Sequence, residues 1–140
     1  MEKTIIILKP DAIRKGCVGL VLQRFEDAKF RIVGMKMMQL NEAVLREHYS
    51  HLTDKPFFCE IVDFMSSTPV VVVALEGVNA VEKVRKMVGP TDSTQAPKGT
   101  IRGDLGKDKN QNIVHASDSV ESAEREMNRF FNAAELFVKG

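Results

Sequence analysis

Several familiar signals are missing from this sequence, and each absence closes off a class of protein. No apolar run approaches the roughly 18 residues of a membrane-crossing helix. The opening MEKTIIILKPDA has no basic first segment and no small-residue cleavage site, so a secretory leader is not expected. Cysteine is scarce: Cys17 and Cys59 lie far apart and make no C-x-x-C, which predicts reduced thiols in a cytoplasmic chain. His48 and His51 lack the cysteine or carboxylate spacing of a zinc site, so solvated or packed histidines are expected and no bound metal. Charge of one sign is missing too. Lys and Arg number 20 against 19 Asp and Glu, leaving a net charge of +1 and no global field to draw nucleic acid or anionic lipid. With aromatics at only 6%, no specific nucleic-acid partner and no membrane partner are expected. The glycine loops that cradle phosphates, G-x-x-x-x-G-K-[ST] and G-x-G-x-x-G, are absent, as is the hydrolase elbow G-x-S-x-G. There is no internal repeat, low-complexity tract or linker.

What is present suits one globular domain over residues 1–140: 44% apolar and 28% charged residues, in a chain long enough for a sizeable core. Residues 4–8, TIIIL, read as a buried strand with a hard stop at Lys9-Pro10-Asp11. Val18, Val21, Leu22, Phe25 and Ala28 share one face of a helix over 18–28. A strand is expected over 31–40 and a helix over 42–52, with Leu45, His48, Tyr49 and Leu52 on one face. Another helical stretch covers 57–65, and a buried strand covers 70–75. Asn79 with Glu82 predicts a capping box, and Gly89-Pro90 ends that helix. Residues 89–111 are polar and aperiodic, which predicts a long functional loop. Ile113-Val114 is the last strand. Asp118 with Glu121 opens a final helix, with Val120, Ala123, Met127, Phe130 and Phe131 on its apolar face.

The order β-α-β-α-α-β-α-loop-β-α predicts an α+β fold. It is a ferredoxin-like doubled βαβ with a four-stranded antiparallel sheet, plus an inserted helical pair and the long loop. The helices covering such a sheet are expected on one face.

Cations concentrate in one segment. Between residues 83 and 109 there are seven Lys or Arg against three Asp. Arg85 borders the Val81–Val84–Val88 stripe, where packing can hold a guanidinium at the rim of an apolar face. Lys9 ends a buried strand and precedes a proline, a poor place for core packing and a good one for a ligand. Phe57 follows Pro56 beside a turn, and core packing is its simplest reading. Arg102-Gly103-Asp104 reads as a turn. His115 in NIVHASDS reads by itself as a packed histidine followed by a helix cap.

Taken together and in order, ILKPDA, HYSHLTDKPFF, GTIRGD and NIVHASDS resemble the nucleoside diphosphate kinases, from Thr4 to Leu136. The motif N-x-x-H-[GA]-S-D is complete from Asn112 to Asp118. The resemblance implies transfer of a terminal phosphoryl group from a nucleoside triphosphate to a nucleoside diphosphate, through a covalent phosphohistidine on His115. It implies that Lys9, Arg85, Thr91 and Arg102 grip phosphate oxygens. Asn112 becomes a contact on the sugar and phosphate side, and Phe57 the base-stacking ring. Tyr49, Ser117 and Glu126 become the supporting shell of the histidine, and Asp118 the helix cap that places it. Both arginines are expected at a cleft rim. Mg²⁺ is expected to ride on the phosphates, without a protein cage. The family also implies a homo-oligomer built from dimers, tetramer or hexamer. Lys98 stands where many members carry Pro or Ala, in a loop that often touches neighbouring subunits. A silent nucleotide-binding module on the same fold is the rival reading. It would not need Lys9, Arg85, Arg102 and His115 together.

Overall fold

The computed structural model describes residues 1–137, so the last three residues of the expected domain lie outside the described residues. The elements run β1 (Glu2–Leu8), α1 (Pro10–Lys15), α2 (Val18–Asp27), β2 (Arg31–Met38), α3 (Glu42–His48), α4 (Phe58–Met65), β3 (Val70–Gly77), α5 (Ala80–Val88), α6 (Ile101–Leu105), β4 (Val114–Ala116) and α7 (Val120–Phe130). The strands form one antiparallel sheet in the order β2-β3-β1-β4. This is the expected doubled βαβ.

The continuous apolar runs of β1 and β3 exist because both faces of the sheet are covered. On one face Ile6, Leu8, Val71, Val73 and Leu75 meet Val21 and Phe25 of α2 and Val84 and Val88 of α5. On the other, Ile5, Ile7, Val72 and Ala74 meet Leu45, Met65 and Phe130. The expectation of helices on one face is therefore corrected. The βαβ helices take that face, while the inserted pair α3 and α4, with α7, seal the second.

Other boundaries differ for local reasons. Lys9-Pro10-Asp11 ends β1 but also begins α1, with Pro10 in the first turn, where its missing N–H costs nothing. The segment 89–111 is not a bare loop: it holds a 3₁₀ turn at Ser93–Gln95 and α6. Thr100 caps α6 by accepting from the Gly103 N–H, so Arg102-Gly103-Asp104 is helical. Asn79 does not cap α5 with its side chain. It sits at φ 50°, and Glu2 Oε1 accepts from the Val81 N–H instead. The cap of α7 is Ser119, which accepts from the Ser122 N–H, not Asp118. Ala28 and Val120, expected on apolar faces, are exposed.

The last strand starts one residue late. Ile113 precedes β4 at φ 76°, and the Val114 N–H donates to the Asn112 carbonyl at 2.8 Å, closing a γ-turn. A β-branched residue in this region costs on the order of 1–3 kcal/mol. β4 then pairs with β1 in the register Ile7↔His115, which places the histidine beside the end of the central strand.

Candidate active site

His115 projects from β4 toward α7, and its Nε2 lies 2.8 Å from Glu126 Oε1. The acid is 8% exposed. Ser117 Oγ donates to the same oxygen at 2.7 Å, so its only proton is committed and the oxygen is left to accept from the Ile5 N–H. Burial pushes the Glu126 carboxyl up. The bonds from His115 and Ser117 outweigh it and hold the group below the usual carboxylate range. An ionised acceptor requires the proton of His115 to sit on Nε2, which leaves the Nδ1 lone pair free.

The cations around this ring are fixed by the backbone. Lys9 Nζ donates to the Asn110 carbonyl and to Asn112 Oδ1, each at 2.7 Å, leaving one ammonium hydrogen for a ligand. Phe64 lies 5.6 Å from the ammonium. Burial pulls the Lys9 ammonium down to about 8, with the nearby Asp11 charge acting against it. Arg102 binds the Gly89 and Val114 carbonyls at 3.0 and 2.7 Å. Burial first, then the charge of Arg85, lowers Arg102 to about 10. Arg85 Nη1 donates to the Ala116 carbonyl at 3.2 Å. The arginines thus differ. Arg85 sits at the rim as expected, but Arg102 is 7% exposed and belongs to the wall. Its Nε, buried without a partner among the described residues, suits an anion.

A cleft of about 1000 Å³ gathers every expected site residue except Ser117, which lies fully buried behind it. Asn112 spends its amide hydrogens on the Thr91 and Lys109 carbonyls, so it ties the loop to Lys9. Thr91 is exposed, as is Phe57 at the start of α4. Tyr49 is half-buried. Burial, with the Glu126 charge, pushes its hydroxyl up to about 12. Asp118 is exposed, and its bond from Ser122, despite some burial, keeps its carboxyl low.

Two further groups belong to these surroundings: His48, which periodicity put on the packed face of its helix without a role, and Asp11, which it did not single out. His48 closes α3 with its ring 4.6 Å from that of His115, and Arg129 Nη1 lies 2.9 Å from its Nδ1. Asp11, in α1, accepts from the Ile113 N–H at 2.9 Å. The KPDA segment held the second signal, but nothing in the pattern separated Asp11 from an ordinary first-turn acid.

His48, His115 and Glu126 have ligand atoms within 4.8 Å of one another. The bond from Arg129 puts the His48 proton on Nε2, and Glu126 already serves His115 and Ser117, so the cluster is a hydrogen-bonded wall. Two nitrogens and one carboxylate oxygen are also the wrong donor set for Mg²⁺.

A family model described as "Nucleoside diphosphate kinase" matches residues 2–136. The chain belongs to the nucleoside diphosphate kinase family. It is 50% identical to the nucleoside diphosphate kinase of Gloeobacter violaceus over 97% of this chain and 91% of that protein. With human nucleoside diphosphate kinase A the identity is 47%, over 96% and 89%. Among solved structures, the Aquifex aeolicus nucleoside diphosphate kinase superposes with TM-score 0.92 at 45% identity, covering 96% of this chain and 98% of that one. The Halobacterium salinarum enzyme in complex with CDP superposes at 0.96 and 39% identity, covering 99% and 93%. Family membership makes the chain a nucleotide-binding phosphotransferase, and His115 shares its cleft with Lys9, Arg85 and Arg102.

Proposed function

We propose that this chain moves the terminal phosphoryl group of a nucleoside triphosphate onto His115 Nδ1 and then onto a second nucleoside diphosphate, maintaining NTP and dNTP pools. The observation that carries the reading is Glu126 holding Nε2, which leaves Nδ1 free in a cleft that Lys9, Arg85 and Arg102 also line. In the first half-reaction the Nδ1 lone pair forms a bond to the γ-phosphorus. The bond from that phosphorus to the bridging oxygen breaks, and the diphosphate leaves with its electron pair. The Nε2 proton stays in place, and the Glu126 carboxylate faces the positive charge that the ring acquires. The second half-reaction is the reverse, with a different diphosphate as acceptor.

In this reading Lys9, Arg85 and Arg102 neutralise phosphate charge from fixed positions, and the Thr91 hydroxyl adds a neutral contact. Asn112 braces Lys9 and offers its remaining Oδ1 lone pair to the sugar side. Phe57 stacks on the base. Tyr49 and Ser117 keep the histidine's surroundings rigid, and Asp118 attracts Arg85 toward the ring. Mg²⁺ enters as part of the substrate, carried on the phosphates, where it neutralises charge.

One domain over the whole chain is supported by the match over residues 2–136. A homo-oligomer built from dimers, tetramer or hexamer, is supported by the edge strand β2, which leaves Met35 and Met37 exposed. A cytoplasmic location is supported by the unpaired thiols of Cys17 and Cys59. No described helix is long and apolar enough to cross a membrane.

The test is direct. The protein is incubated with γ-labelled ATP and Mg²⁺, freed of nucleotide, and chased with GDP. Acid-labile, alkali-stable label that passes to GDP, with parallel lines in steady-state plots, is the expected result. Intersecting lines and no labelled protein would overturn the reading.

A further inference from the structure

Asp11 is a buried acid for which the transfer chemistry above has no use. It is 5% exposed, and Oδ1 has no hydrogen-bond partner among the described residues. A buried carboxylate kept half-satisfied needs an explanation. Its Oδ2 accepts from the Ile113 N–H at 2.9 Å, and Ile113 is the centre of the positive-φ γ-turn.

That turn is held at every atom that could release it. Asp11 takes the N–H, the Lys9 N–H binds the Ile113 carbonyl at 2.9 Å, and the side chain is fully buried. Such a turn is rare and strained, and a bulky residue there persists only when its surroundings impose it. On one side of it stands Asn112, bonded to Lys9 Nζ. On the other, two residues along, stands His115, bonded to Glu126. The turn therefore sets how far the phosphate-gripping ammonium lies from the phosphoryl-accepting ring.

We propose that Asp11 is a positioning residue for phosphoryl transfer: its carboxylate holds the Ile113 turn, and the turn fixes His115 relative to Lys9. The inference rests on the reading of His115 as the phosphoryl carrier. Asp11 has a second, separable effect through its charge. Among the groups facing Lys9, Asp11 and Asp108 favour its ammonium and Arg102 opposes it. Removing the Asp11 charge makes the ammonium easier to lose as pH rises.

Two variants separate the bond from the charge. Asp11→Ala loses both, whereas Asp11→Asn keeps an oxygen that accepts from Ile113 and loses only the charge. The rate of His115 phosphorylation at saturating Mg·ATP is measured by rapid quench at pH 7. Asp11→Ala is expected to be slower by roughly 10–100-fold, the loss that follows a misplacement of about 1 Å. Asp11→Asn is expected to recover most of that rate. The ¹⁵N-resolved exchange of the Ile113 amide should follow the same order, protected in wild type and Asn and unprotected in Ala. In both variants KM for nucleotide should begin to climb at a lower pH than in wild type. A wild-type rate in Asp11→Ala, or an Asn variant that keeps amide protection yet is as slow as Ala, would overturn the inference. If Asp11→Ala does not fold, the Asn protein decides alone: a retained rate with a shifted KM profile supports the inference, and a lost rate with a protected amide overturns it. Wild-type protein that takes up no label overturns the transfer reading itself, so the failures are distinguishable.

Discussion

The wall and the mouth of the same cleft are built in opposite ways. At the wall, Glu126, Ser117, Lys9, Asn112 and Arg102 are buried, and most of their polar atoms are bound to another side chain or a backbone carbonyl. At the mouth, Phe57 and Thr91 are exposed. In the proposed reading, the wall meets the part common to all nucleoside triphosphates, and the mouth meets the part that differs. Rigid donors stabilise charge without reorganising during the reaction. An aromatic face accepts any base, because every base has a π-face. The contrast teaches that precision is concentrated where substrates are alike.

The largest effect should come from the centre of the wall. His115→Ala should take up no label from γ-labelled ATP while its far-UV spectrum stays native, and any acid-labile phosphoprotein in this variant would break the assignment. Next comes Arg102→Ala, with kcat lower by roughly 10²–10³-fold, as for loss of one preorganised donor. The same change strips partners from the Gly89 and Val114 carbonyls, which should cost on the order of 1–3 kcal/mol of stability in urea unfolding. Arg85→Ala should lower kcat with little change in stability, because its contact is at the rim. Equal unfolding midpoints for the two arginine variants would erase the distinction between wall and rim.

Phe57→Ala should raise KM for ADP, GDP, CDP and UDP together, by roughly 5- to 150-fold, the worth of one stacking contact. A preference of about 10⁴ or more for one base in the unsubstituted protein would show buried hydrogen-bond readout at the mouth. The smallest effect is in pH. The Lys9 ammonium titrates near pH 8, so phosphate grip is intact below that value and KM should rise above it. Stability should move the other way. The folded value lies below the unfolded one, so the fold disfavours the charged lysine at low pH. That penalty fades as pH rises from about 8 to about 10.4. KM unchanged to pH 9.5 would mean that Lys9 is not a phosphate ligand.

Much of this contrast was legible in the sequence, and its limits have physical reasons. Strands such as VVVVAL announce themselves because burial on both faces leaves no polar alternation. The motif around His115 was readable as a unit, and the strand-end placement of Lys9 marked it as a candidate ligand group. Helix α6 was hidden because its short run offers little periodicity and carries a glycine, Gly103, in its interior. That glycine is there for close approach: a Cβ on it would lie 2.0 Å from the Pro97 carbonyl oxygen. The roles of His48 and Asp11 were invisible for another reason. Each acts on a residue more than sixty positions away, so no local pattern records the contact.

The pairing of β1 with β4 has a consequence for synthesis. Ile6 meets Ala116, and Leu8 meets Val114. At about 5–20 residues per second, the ribosome finishes β4 roughly 5–20 s after β1. During that wait β1 carries a bare edge of Ile and Leu, a template on which other chains could add a strand. β3 emerges earlier and can occupy the other edge of β1. The nascent chain therefore holds a partly formed sheet before it has a His115 to place. The proposed transfer groups arrive last: His115 comes with the strand that closes the sticky edge, and Glu126 with the helix that follows it.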